Sequence, residues 1–184
     1  MIFDKLKNQF NSRPSQKAVD AFCRHAKEGN IPAVKKFLDK YKDAANAKDK
    51  KGSTALVNAA LKGHIECVSL LLERGADVNL SSVNEITTVE CAARWYPDMM
   101  ELLLKHSADP NQRDNYGETV LMLAAKYGRE DNVALLLKAG ARVDETVRNG
   151  ATALICAAEH GREDSIKLLL DAGAEINQRD YTLE

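Results

Sequence analysis

Aromatic residues are scarce in this 184-residue chain: one Trp, five Tyr and four Phe, 5% of the sequence. A core cannot rest on packed rings and must be assembled from Leu, Val, Ile and Ala. An excess of charge of either sign is missing as well. Lys and Arg number 26 against 27 Asp and Glu, a formal net charge of −1, which removes the general electrostatic pull toward nucleic acid or an anionic membrane. No apolar run approaches the roughly 20 residues of a membrane-spanning helix. The opening MIFDKLKNQFNS has neither the continuous apolar stretch nor the small-residue cleavage site of a secretory signal. Cysteines number four, and Cys23, Cys67, Cys91 and Cys156 lie far apart without the C-x-x-C or Cys/His spacing of a zinc site. Each falls in a helix-like segment, where a reduced thiol acts as a small apolar filler. A disulfide scaffold is therefore excluded, and neither a metal nor another cofactor is expected. With 45% hydrophobic and 29% charged residues, the composition is that of a folded soluble domain or a stack of small units.

What the chain has in abundance is self-similarity. Gly75-Ala76-Asp77-Val78-Asn79 recurs as Ser107-Ala108-Asp109-Pro110-Asn111, Gly140-Ala141-Arg142-Val143-Asp144 and Gly173-Ala174-Glu175-Ile176-Asn177, at steps of 32, 33 and 33 residues. The run Leu70-Leu71-Leu72 recurs at 102–104, 135–137 and 168–170, and alanine pairs precede each run at 59–60, 92–93, 124–125 and 157–158. A period of this length marks a stack of supersecondary units. In each unit a threonine (Thr54, Thr87, Thr119, Thr152) stands where its hydroxyl can cap a short, Ala-rich first helix. Gly63, Gly128 and Gly161 stop that helix, and Gly75, Gly140 and Gly173 stop a second, Leu-rich one. The pairs Glu130-Asp131 and Glu163-Asp164 open second helices, where carboxylates favour the positive end of the dipole.

These linked positions resemble the ankyrin repeat, with its G-x-T-x-L…A-A…G…L-L-L…G-A-x-x-N pattern, at 48–80, 81–112, 113–145 and 146–178. A degenerate unit precedes them at 15–47, with Ala26, Gly29, Val34 and Phe37-Leu38 at the equivalent places. The resemblance implies a single all-α ankyrin-repeat solenoid over 1–184, built of paired antiparallel helices with loop or hairpin connections near 48–53, 80–86, 112–118 and 145–151. Residues 2–14 read as an N-terminal cap helix and linker, because Ile2, Phe3, Leu6 and Phe10 fall at helical spacing before Arg13-Pro14-Ser15. Residues 179–184 read as the start of a truncated repeat or a cloning remnant.

Departures from the pattern are informative. The family's Thr-Pro-Leu-His becomes Thr54-Ala55-Leu56-Val57 and its equivalents, so the His that ties repeats together is absent from all four units. His64 occupies another place where ankyrin repeats carry a structural His, and Arg129 and Arg162 take that place later. Unit 81–112 departs furthest: Glu85, Tyr96 and Ser107 stand where glycines are expected, and one residue is missing near Pro97. Non-Gly residues forced to positive φ cost roughly 1 kcal/mol or more each. Glu90 occupies an otherwise apolar column (Val57, Met122, Ile155), either as a buried acid with a raised pKa or in an i,i+4 link to Arg94.

No constellation of catalytic groups is present. His25, His106 and His160 lie in different repeats, no G-x-S-x-G or phosphate-cradling loop occurs, and no enzyme activity is expected. The resemblance implies instead a non-catalytic protein–protein interaction module that binds a protein or peptide on a concave face. Two alternatives stay open: an inhibitor or immunity-type protein that blocks a target enzyme, and the ankyrin part of a larger host-directed or regulatory protein. Positions that vary while the framework repeats are Leu61, Lys62, Ile86, Arg94, Trp95, Tyr116, Glu118, Lys126, Tyr127, Arg148 and His160, and these are the candidate partner contacts. Trp95, the single Trp, is their expected centre, with Arg94 supplying charge beside the indole, because aromatic anchors and Arg dominate interface energetics. The opposing reading has Trp95 folding into 94–98 to fill the gap left by the missing residue. Leu71 and Asp77-Val78-Asn79 also resemble the context modified by asparaginyl hydroxylases, which makes Asn79 a hydroxylation candidate; otherwise Asn79 satisfies loop backbone groups. Expected partners are proteins, not nucleic acid or membrane. The protein is expected to be a cytoplasmic monomer, or delivered to a host cytosol if an effector, with weak self-association open to the last repeat.

Overall fold

The computed structural model describes residues 13–82 and 86–178, which form ten α-helices, one 3-10 turn and no strand. The expected cap helix at 2–11, the loop residues Val83, Asn84 and Glu85, and the segment 179–184 lie outside the described residues. The chain divides into two compact units, residues 1–84 and 85–184.

In the first unit α1 (Gln16–Lys27) pairs with α2 (Ile31–Lys40), and α3 (Ala55–Ala60) with α4 (Ile65–Glu73). Within it α1 packs on α3 and α2 on α4. The second unit repeats this with α5 (Thr88–Arg94) and α6 (Met100–Lys105), α7 (Val120–Lys126) and α8 (Glu130–Lys138), and α9 (Ala153–Glu159) and α10 (Glu163–Asp171). First helices stack on first helices and second on second. The result is an all-α repeat fold in which, within each unit, neighbouring helix pairs bury their apolar faces on one another.

The local causes are regular. Thr54, Thr87, Thr119 and Thr152 each accept a hydrogen bond from the backbone N–H three residues on, at 3.2 Å, satisfying an orphan donor of the first turn. Ser15 does the same for α1 with Ala18. The middle leucine of each run, Leu71, Leu103, Leu136 and Leu169, is fully buried. Burial of one such side chain is worth about 1.5–3 kcal/mol. The alanine pairs of the first helices are also buried, except Ala158.

Adjacent helix pairs are tied by polar side chains as well. His64 Nε2 lies 3.1 Å from the Lys27 carbonyl, and Arg162 Nε donates to the Lys126 carbonyl at 3.1 Å. Arg129 donates to the Arg94 carbonyl at 3.4 Å. Three residues of one repeat column thus close the C-terminal ends of preceding first helices. A Cβ at Gly29 would meet the His64 ring at 2.8 Å, so this contact needs glycine for space as well as for its φ of 67°. Asn46, Asn111 and Asp144 form a second column, accepting the backbone N–H of Asp77, Arg142 and Glu175 at 2.7, 2.9 and 3.0 Å.

The irregular unit resolves in two different ways. Ser107 keeps the left-handed conformation of the glycines it replaces, with φ 64°. Tyr96 does not: its φ is −131°. The residue before a proline is pushed out of the helical region, and Pro97 opens a 3-10 turn, Pro97–Met99, leading directly into α6. Met99 and Met100 at this junction are both fully buried in the core. The expectation of left-handed strain at Tyr96 is therefore corrected.

Candidate protein-binding surface

Three hairpin loops of the described residues are each closed by an Asp or Asn side chain of the loop itself. Asp114 Oδ1 accepts the backbone N–H of Tyr116 and Glu118, both at 2.9 Å. Asp49 does the same for Lys51 and Ser53, and Asn149 for Ala151 at 3.2 Å. Closing the loop on its own side chain leaves the tip residues pointing outward. Tyr116 is 74% exposed as a result. Arg113 reaches from the base of one loop to the Thr146 carbonyl at 3.1 Å and pairs with Glu145, which fixes neighbouring loops of the second unit against one another.

Between these loops and the first helices of the second unit lies a groove of about 460 Å³, lined by Arg94, Tyr116, Glu118, Lys126, Val147, Arg148 and Asn149. Five of the candidate contacts therefore share one concavity. A sixth, Tyr127, joins through its ring, 5.9 Å below the Arg94 guanidinium, within the range of a cation–π contact. Lys126 pairs with Glu118 at 2.9 Å, and that hydrogen bond holds the ammonium pKa above its ordinary value. Arg148 is exposed at the rim.

Arg94 does not stand free beside the indole. Its guanidinium turns inward, 16% exposed, and bridges Glu90 at 3.2 Å and Asp114 at 2.5 Å. Burial pushes the Glu90 carboxyl above its ordinary range, while Arg94 pulls it down. Both readings of Glu90, buried acid and i,i+4 partner, hold together. Arg94 consequently links α5 to the loop that presents Tyr116.

Trp95 follows as the C-cap of α5, its N–H bonded to the Cys91 carbonyl at 2.9 Å, and its side chain is 48% exposed. His160 holds the equivalent cap of α9, exposed, with Nδ1 2.9 Å from the Cys156 carbonyl. Ile86 is half-buried just before the Thr87 cap. Leu61, half-buried, and Lys62, exposed, belong to the first unit and do not contribute to the groove of the second. Asn79 is exposed in its loop, with its N–H donating to the Asp77 carboxylate at 2.9 Å. Sequence reasoning overlooked Asp114 as a partner of Arg94, although its spacing from the following Gly and Thr matches that of Asp49.

All four cysteines are buried and free. Burial pushes Cys23 and Cys91 up to about 12 and Cys67 and Cys156 up to about 11. They are protonated fillers and supply no nucleophile. No group of His, Cys, Asp and Glu among the described residues could hold a metal ion. None of the described helices is long and apolar enough to cross a membrane.

Comparison with known proteins bears directly on this arrangement. The family model described as ankyrin repeats in three copies matches at residues 6–82, 22–114 and 88–180. An ankyrin repeat-containing protein of Treponema pallidum is 37% identical over 114 residues, covering 61% of this chain and 37% of the relative. Protein phosphatase 1 regulatory subunit 27 of Mus musculus is 30% identical over 98 residues, covering 53% of this chain and 64% of the relative. The E3 ubiquitin-protein ligase KEG of Arabidopsis thaliana is 35% identical over 118 residues, which is 61% of this chain and 7% of that protein. The chain thus spans less than two thirds of each of these relatives.

Proposed function

The chain belongs to the ankyrin-repeat family, whose repeats generally serve protein–protein interaction, and we propose that it is a non-catalytic module binding a protein or peptide through the groove of its second unit and the adjoining Trp95. The observation that carries this reading is a concavity lined by the exposed Tyr116 ring, in which Arg94 and Lys126 are already held by carboxylates, with the exposed Trp95, outside the lining, next to Arg94 in the chain. Exposed rings of this size are costly on a free surface and serve as anchors in an interface. Arg94 and Lys126, held by carboxylates, preorganise the groove, which lowers the ordering cost of association. Arg148 and His160 supply peripheral polar contacts.

A regulatory-subunit role is the second reading, favoured by the name of the mouse relative. In that reading the same surface covers part of an enzyme, and the partner is a folded domain instead of a peptide. We place the protein in a reducing, cytoplasmic setting, where four separately buried thiols serve as core fillers. We also assign the repeat boundaries 15–47, 48–80, 81–112, 113–145 and 146–178. The exposed Leu170 and Ile176 of the last repeat are the residues through which weak self-association would run.

The test is affinity measurement with a partner captured by the wild-type chain. Trp95→Ala and Tyr116→Ala should each weaken binding by roughly a hundredfold while leaving the melting temperature unchanged. The reading fails if either variant retains full affinity, or if Trp95→Ala melts early, since the indole would then be a packing element.

A further inference from the structure

The net charge of −1 conceals a division along the chain. Residues 1–84 carry 15 Lys and Arg against 9 Asp and Glu, a net +6, whereas residues 85–184 carry 11 against 18, a net −7. Each unit therefore presents a field of its own sign, with a range of about 8 Å at physiological ionic strength.

In the first unit the positive excess converges on a concavity. A groove of about 360 Å³ lies between α1, the loop at 49–51 and α3, and four cations line it: Arg24, Lys27, Lys50 and Lys51. All four are exposed. Two carboxylates, Asp20 and Asp49, also face it, but both are consumed within the fold. Asp20 accepts hydrogen bonds from the Gln16 side chain and the Lys50 backbone, each at 3.0 Å, and lies 3.6 Å from the Lys50 ammonium. These bonds, led by that of Gln16, hold its pKa below the ordinary range. Asp49 accepts from two backbone N–H groups and, at 3.4 Å, from Asn58. Lys27 and Lys51 have no carboxylate partner among the described residues, and Arg24 has only the exposed Glu28 at 4.0 Å.

We propose that this groove receives an acidic, extended segment of a partner protein, whose Asp and Glu side chains pair with Arg24, Lys27 and Lys51. This rests on the protein-binding reading above and names a second contact distinct from the Trp95 surface. Charge complementarity selects the occupant. A nucleic-acid strand is disfavoured because no aromatic side chain lines the groove for base stacking. The groove has the volume of a pocket for a few side chains, which suits a protruding segment better than the acidic face of a second folded copy.

The experiment is fluorescence anisotropy of the full chain with a capped, fluorescein-labelled peptide of alternating Glu and Asp, at low and at physiological salt. Binding should weaken with salt. The double variant Lys27→Glu/Lys51→Glu should lose roughly tenfold in affinity with an unchanged melting temperature, while Lys35→Glu, on the exposed face of α2, should stay within roughly twofold. Equal binding of an oligothymidylate or of phosphatidylserine vesicles, with the same dependence on Lys27 and Lys51, would overturn the assignment. So would concentration-dependent self-association abolished by the double variant, which would make the occupant a second copy. If the peptide fails to bind while Trp95→Ala still abolishes capture of a natural partner, the groove assignment falls and the protein-binding reading stands.

Discussion

Replacing Arg94 with methionine keeps most of the aliphatic volume, strands the Glu90 carboxylate and leaves Asp114 only its two backbone donors. Glu90 and Asp114 share this one guanidinium, at 3.2 and 2.5 Å, and their side chains are 9% and 0% exposed. Solvent can do little to screen them. Breaking a buried pair by removing one partner costs about 3–5 kcal/mol, and at 2–4 °C per kcal/mol for a chain of this size the melting temperature should fall by roughly 10 °C. The pH dependence gives the prediction its edge. Burial raises the Glu90 pKa above its ordinary value while Arg94 opposes the rise. A raised carboxyl pKa means that the folded chain binds the proton more tightly than the unfolded chain does. Its contribution is then most favourable below the ordinary range and is lost as pH rises through the folded value. Without Arg94 that rise grows, so the deficit of Arg94→Met should be largest at neutral pH and should shrink toward about pH 5. Adding Glu90→Gln should restore part of the loss at neutral pH and flatten the profile. Urea and thermal denaturation of the three proteins at both pH values supply the assay. A loss below about 1 kcal/mol, the scale of a surface pair, or a deficit that does not change with pH, would refute the reasoning.

Two further outcomes follow from the same structure. Ser107 holds φ 64° where its repeat equivalents are glycines, so Ser107→Gly should raise stability by about 0.5–1 kcal/mol in chemical denaturation, the relieved strain exceeding the added entropy of the unfolded chain; a destabilised variant would contradict this. Native protein at mildly alkaline pH should resist iodoacetamide at all four cysteines, whose thiols are buried and shifted to about 11–12, and should alkylate fully in denaturant; rapid native labelling at any one of them would show that its helix contact opens.

The parts of the fold legible in the sequence are those set by local chemistry repeated in register. A threonine three residues before the N–H it caps, a leucine run with one buried member and a left-handed glycine stop all act within a few residues. Contacts that depend on register between elements were less legible. The i,i+4 link from Glu90 to Arg94 could be read from spacing, but the bond from Arg94 to Asp114 joins residues 20 apart, and it turns inward a guanidinium that position alone places beside the indole. Tyr96 was misread by alignment to glycine, although the proline after it carried the opposite signal. The basic groove went unseen for two reasons. Charges summed over the chain cancel, and Asp20, Arg24 and Lys27 sit in the degenerate first repeat, where no repeat pattern marks exposed positions.

The central claim is that recognition occurs on the surface built by Trp95, the Tyr116 loop and the Arg148 loop. Hydrogen–deuterium exchange of the full chain, free and bound to a natural partner, tests it most directly. The account predicts new protection at residues 94–96, 114–118 and 147–149, with the second helices α6 and α8 unchanged. Protection confined to α6, α8 and α10, with those three segments exchanging as in the free protein, would contradict it.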